Sequence, residues 1–174
     1  MRHVLHLVPA LAALACFAPV AHAAPPDNPL QTPRDLVRAD AATLDALYAN
    51  GTVGEIPTGF LPGRVIVEPG TRRGVAKSQR LHWFWQGKVF HGDGTAHNRV
   101  FGLTAVPMTV YHGQSWHDGG PVIVVDYADS WRMFRGVRDE LREVAPGLYL
   151  GRTYVTKKSG TKQATMFALL APAE

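Results

Sequence analysis

Residues 137–144 read Val-Arg-Asp-Glu-Leu-Arg-Glu-Val, a run carrying both charge signs in close alternation. In an extended strand, successive side chains face opposite sides. Arg138, Glu140 and Arg142 would then share one face, and Asp139, Leu141 and Glu143 the other. If the first row faces into a barrel, two guanidinium forks flank a carboxylate and suit a ligand carboxylate or phosphate. The same residues are open to an internal ion-pair network or a solvated strand face. A helix also fits, because Val137, Leu141 and Val144 stand at i, i+4 and i+7. Asp126 and Glu140 are the carboxylates that could divide acid and base roles between neighbouring strands, although carboxylates opposite arginines more often form salt bridges.

The aromatic residues have two readings as well. Trp83, Phe84, Trp85, Tyr111, Trp116, Tyr127, Trp131 and Tyr149 can fill a small barrel or line an apolar cavity. In a cavity, polar groups such as Asn98 and Tyr127 would orient a ligand. Other chemistries lack their spacing. Ser115, Ser130 and Ser159 sit in no Gly-x-Ser-x-Gly elbow, and no glycine-rich loop opens a helix for nucleotide phosphates. His91, His97 and Asp93 are the best metal trio. The histidines His82, His91, His97, His112 and His117 nevertheless lack His-x-His, His-x3-His and His-Glu-x-x-His spacing. No metal or other cofactor is expected.

The elements that must position these residues are mostly strands. Thr32-Pro33 offers an N-cap and a first-turn proline, with Asp35 three residues after the cap. Asp40 can cap a second helical segment bearing Leu44, Leu47 and Tyr48 and ending at Asn50-Gly51. From Gly63 onward, runs of Val, Phe, Tyr and Trp are separated by Gly, Pro and Asp every 8 to 12 residues or so, the spacing of an antiparallel meander. Strands are expected near 63–69, 82–90, 98–111, 121–128, 136–144, 147–156 and 163–171. His91-Gly92-Asp93-Gly94, His117-Asp118-Gly119-Gly120 and Pro146-Gly147 supply turns, and residues 71–81 fit either a loop or a short helix. That many strands must pair face to face or close, and a closed barrel hides every edge. Val122 to Val125 are apolar on both faces, so the barrel interior should cover one side and the N-terminal helix the other.

Composition bounds the remaining classes. The chain has 174 residues, 46% hydrophobic and 18% charged, which excludes intrinsic disorder and predicts one compact domain. A net charge of +4 with no long basic run gives little support for nucleic-acid binding. Residues 1–23 read as a signal peptide: Arg2, an apolar stretch from Val4 to Val20, then Ala21-His22-Ala23. Residues 24–31 read as a disordered leader, and 32–174 as the barrel domain. Periplasmic or secreted localisation follows. Cys16, the single cysteine, would attach the chain to a membrane only if Leu14-Ala15-Cys16 served as a lipoprotein site.

One resemblance joins these readings. Trp85 to Phe90, Asn98 to Gly102, Ser115 to Gly119, Val124 to Tyr127 and above all Arg138 to Gly151 resemble a widespread bacterial family of uncharacterised exported or soluble proteins. Its members look related to lipocalin-like, or calycin, barrels. The resemblance spans roughly residues 60–171 and implies a fold without implying an activity. The Gly-x-Trp signature of true lipocalins is absent at Gly63-Arg64-Val65.

The expected protein is a mainly β, antiparallel meander closed into a barrel with a short N-terminal helix. Its expected role is binding a small apolar or amphipathic molecule, with an anionic group near Arg138 and Arg142. The expected ligand set is Arg138, Glu140, Arg142, Asn98, Trp116, Tyr127 and Tyr149. The alternatives are a cofactor-free lyase, isomerase or hydrolase using Asp126 and Glu140, and a structural or inhibitory protein with a filled barrel.

Overall fold

The computed structural model describes residues 30–172. The expected signal peptide, the Cys16 alternative and the leader up to Pro29 lie outside them. Antiparallel strands β1 (Gly59–Ile66), β2 (Trp85–Phe90), β3 (Thr95–Val100), β4 (Leu103–Gln114), β5 (Pro121–Asp126), β6 (Val137–Ala145), β7 (Leu148–Lys157) and β8 (Gly160–Leu170) pair in sequence order. β8 returns to β1, so the barrel closes. Helices α1 (Pro33–Arg38) and α2 (Ala41–Asn50) precede the barrel, and α3 (Arg72–Phe84) joins β1 to β2.

Local chemistry accounts for the helices. The Thr32 hydroxyl accepts from the Asp35 amide and the Asp35 carboxylate from the Thr32 amide, a reciprocal pair that starts α1. Asp40 accepts from the Thr43 amide at 2.7 Å and starts α2. Gly51 ends α2 with an ordinary negative φ. Its lack of a Cβ matters because one would press on the Cβ of Arg142.

Two apolar clusters divide the barrel wall. Leu61, Phe90, Val106, Ile123, Val125, Tyr127, Leu141 and Phe167 face inward. Val122, Val124, Leu148, Leu150 and Ala168 face outward beneath Leu36, Val37, Leu44 and Tyr48 of the helices. This double cover explains the apolar run of β5, as its composition implies.

Two elements differ from the sequence expectations, and a third settles an alternative left open. Helix α3 covers Arg72–Phe84 with its cap at Thr71, so the strand expected from residue 82 starts at Trp85. The strand expected over 98–111 is a hairpin, β3 and β4, turning at Phe101-Gly102, both with positive φ. Residues 137–145 form a strand, and the helical spacing of Val137, Leu141 and Val144 has no helix behind it.

Candidate functional site

The barrel is hollow at one end. A cavity of about 540 Å³ lies inside the wall and extends to the end where β1–β2, β3–β4 and β5–β6 connect. Ala105, Val106, Val137, Phe167 and Phe134 form apolar wall, and Trp85, Lys88, Asn98, Tyr127, Asp139 and Thr153 bring a polar pole into it.

The pole is a closed hydrogen-bond network. The Lys88 ammonium donates to Asp139 Oδ2 at 2.8 Å, to the Tyr127 hydroxyl at 2.7 Å and to Asn98 Oδ1 at 3.1 Å, which uses its three N–H groups. Tyr127 donates to Asp139 Oδ2 at 2.9 Å and accepts from Asn98 Nδ2, while Thr153 donates to Asp139 Oδ1 at 2.6 Å. Trp85 Nε1 donates to Asn98 Oδ1. The ammonium also lies 5.1 to 5.9 Å from the ring centroids of Tyr127, Phe167 and Trp85. Burial pushes the Lys88 pKa below the usual lysine value and the Asp139 charge pulls it back up. Burial, reinforced by the Asp139 charge, pushes the Tyr127 phenol well above its ordinary range, so Tyr127 stays a hydroxyl.

Backbone irregularities place this network. Strict alternation from Trp85 would turn Lys88 to the outside. The pairing of β2 with β3 shifts between Trp85 and Gly87, and this bulge lets both Trp85 and Lys88 face the cavity. Gly87 has φ +137°, and a Cβ there would collide with the Leu61 carbonyl oxygen. A second shift, between His97 and Asn98, sits opposite Val106, whose φ is +60°. Across it, Ala105 and Val106 both line the cavity.

The charged row of β6 faces the other way. Asp139 and Leu141 are inside, and Arg138, Glu140 and Arg142 are outside, under α2 and the 115–120 loop. Fully buried Glu140 accepts from Ser115 Oγ, the Trp116 amide and Arg138 Nε at 2.7 to 3.0 Å. Arg142 binds both Asp118 carboxylate oxygens and donates to the Tyr48 and Pro121 carbonyls. Arg152 pairs with Asp45 of α2. The expectation of an anion held in a cavity by Arg138 and Arg142 meets a different placement: neither lines the cavity, Arg142 ties α2 and the 115–120 loop to the wall, and Arg138 donates to Glu140 and to the Gln114 carbonyl. Asp126, on the same outer face, accepts from Tyr111 and the Ala128 amide, and neither it nor Glu140 lines the cavity.

The other expected residues separate. Asn98 and Tyr127 meet in the pole. Trp116 is half exposed outside the barrel, stacked edge-on with Tyr154 and under the Arg138 guanidinium. Tyr149 faces inward at the opposite end, beside a groove of about 910 Å³ whose wall runs to Pro172, where the described chain stops. His91 and His97 hydrogen-bond through their rings at 2.9 Å, and Asp93 turns its carboxylate to Thr95. Among the described residues, no three His, Cys, Asp or Glu side chains gather to hold a metal. Lys88, Asp139 and Thr153 were not singled out as site residues from sequence, whereas Trp85 stood among the aromatics that could line a cavity. The signal that could have found Lys88 is Gly87, a lone glycine in a strand and hence a bulge marker.

Comparison with known proteins bears on the fold. The chain is similar to a solved structure titled "Crystal structure of protein from Thermomonospora curvata", with a TM-score of 0.50 and 15% identity over 78% of this chain and 90% of that one. At that identity the likeness concerns architecture alone. No family model matches the chain, and no curated protein matches it.

Proposed function

We propose that this barrel binds a small, predominantly apolar molecule whose neutral oxygen-bearing end, a carbonyl or hydroxyl, meets the polar pole around Lys88 at the second N–H of the Asn98 amide, the donor that the network does not use. The observation that carries the reading is a hollow interior of about 540 Å³ with apolar walls and one buried polar cluster. Ligand sites typically combine a cavity of roughly 300–1,000 Å³ with a few placed polar groups. Charge selects the ligand end. The Lys88 cation is balanced by Asp139 at 2.8 Å, so a ligand carboxylate would add an uncompensated buried charge, whereas a neutral acceptor adds none.

Export to the periplasm or medium belongs to the same proposal, supported by Ala21-His22-Ala23 after an apolar run. So does membership of the lipocalin-like bacterial family, supported by the closed eight-stranded barrel with a cavity at one end.

Native mass spectrometry on protein purified without denaturant from the compartment where it accumulates tests the reading. The expected result is a retained neutral organic molecule, released on unfolding and reduced in Tyr127→Phe. A ligand retained equally by wild type and a cavity-filling Ala105→Trp would defeat it.

A further inference from the structure

Up-and-down connectivity places α3, the β3–β4 turn, the β5–β6 loop and the β7–β8 turn at one end of the barrel, around the cavity mouth. Large apolar side chains project there. Phe101 is 68% exposed, Leu103 70% and Met133 79%, and Phe84 and Trp131 are about half exposed. All of them also line the cavity, so the apolar rim and the apolar interior are continuous. Trp83, on the last turn of α3, is more exposed still. Leaving such side chains in water forgoes their burial, and contiguous exposed apolar surface marks an interaction site.

Charge identifies the partner. The same connections carry Arg80, Arg132, Arg135 and Lys158, with Lys157 at the adjoining end of β7 and Lys162 near the start of β8. Of the carboxylates at this end, Glu68 is already paired with Lys77 and Arg73, Asp126 accepts from Tyr111 and the Ala128 amide, and Asp129 stands in the β5–β6 loop. The apolar tips sit on separate connections around a mouth. A bilayer interface accepts aromatic and aliphatic tips at any such spacing, and basic groups behind them complement anionic head groups.

We propose that this end of the barrel docks on an anionic phospholipid surface, with Phe101, Leu103, Trp131 and Met133 entering the interface and the surrounding lysines and arginines over the head groups. Docking would hold the cavity mouth against the bilayer, a source of apolar ligand. The docking itself does not rest on the ligand reading.

The test is co-sedimentation of the purified full-length protein with vesicles of phosphatidylcholine alone or mixed equally with phosphatidylglycerol. Binding to the mixed vesicles should exceed binding to phosphatidylcholine at least about tenfold and fall with added salt. Lys157→Glu with Lys158→Glu should weaken it at least about fivefold for each charge lost. Leu103→Asp with Met133→Asp should weaken it comparably. These positions are exposed, so melting curves should match wild type. Equal binding to both vesicle types would overturn the proposal. So would variants that sediment like wild type, which would move the membrane contact to residues 1–29. A rim variant that abolishes a dimer in sedimentation velocity without altering vesicle binding would reassign the face to a second copy. Failure of docking leaves ligand retention in the mass spectrum unaffected, so the two readings fail separately.

Discussion

Lys88 holds a charge in the middle of an apolar barrel, where desolvation opposes ionisation and Asp139, Tyr127, Asn98 and the surrounding aromatic rings offset it. Removing one partner therefore costs more than removing the pair. Lys88→Met should lower stability by about 3–5 kcal/mol in urea denaturation, and adding Asp139→Leu should recover most of that loss. A double variant as unstable as the single one would show that the pair is not coupled. The network also predicts a pH dependence. Lys88 has a folded pKa below its unfolded value of 10.5, so between the two the unfolded chain binds the extra proton and stability rises with pH. Asp139→Asn removes the interaction that raises the folded value, which widens that window. The variant should therefore gain more stability than wild type between neutral pH and about pH 10. Equal gains would contradict the pairing. At this scale the sequence was only partly legible. Asn98 and Tyr127 could be recognised as polar groups among aromatics, but Lys88 and Asp139 are surface-type residues whose inward aim depends on strand register.

Register is a property of elements, and the bulge at Gly87 decides it for β2. Gly87→Val has to leave φ +137° and push against the Leu61 carbonyl, so it should cost more than about 1 kcal/mol and reduce ligand binding by displacing Lys88. A stable variant with full binding would show that the bulge does not position the lysine. The turns and caps were readable, because Thr32, Asp40 and Pro146-Gly147 act through local chemistry. Gly147 indeed has φ +71°. The β6 row was not, since Arg138-Asp139-Glu140-Leu141-Arg142 alternates correctly whichever face is inside. Long-range packing chose the face: Leu141 joined the inner cluster, and α2 and the 115–120 loop supplied partners for the outer charges. Asp118 reports on that junction. Hydrogen bonds from Arg142 hold its pKa down to about 2 against an ordinary 3.8. Its stabilisation is therefore present above 3.8 and lost as pH falls toward 2. Asp118 is about one-third exposed, so solvent screening keeps the contribution small. Arg142→Gln should be less stable overall and lose less further stability over that acid range. An unchanged acid limb would contradict the Asp118–Arg142 assignment.

For the whole molecule, closing the sheet removes strand edges, and the helices on one side leave the opposite requirement, a lined interior, to inward side chains that leave a cavity of about 540 Å³ at the mouth end. Mainly β architecture and closure could be read from turn spacing, whereas hollowness depends on summed side-chain volumes across strands far apart in sequence. Export is a separate question at this scale. Terminal sequencing of the accumulated protein should find Ala24, and an acylated Cys16 would replace export of a free chain with a lipid anchor. The claim at the centre of the account is that the cavity, rather than the outer charged row, receives the ligand. A fluorescence titration with Nile red, a neutral apolar dye bearing a carbonyl, tests it most directly on wild type, Ala105→Trp and Arg138→Lys. Saturable one-site binding is expected in wild type and in Arg138→Lys, with at least about a tenfold loss when tryptophan fills the cavity. Undiminished binding by Ala105→Trp together with loss in Arg138→Lys would contradict it.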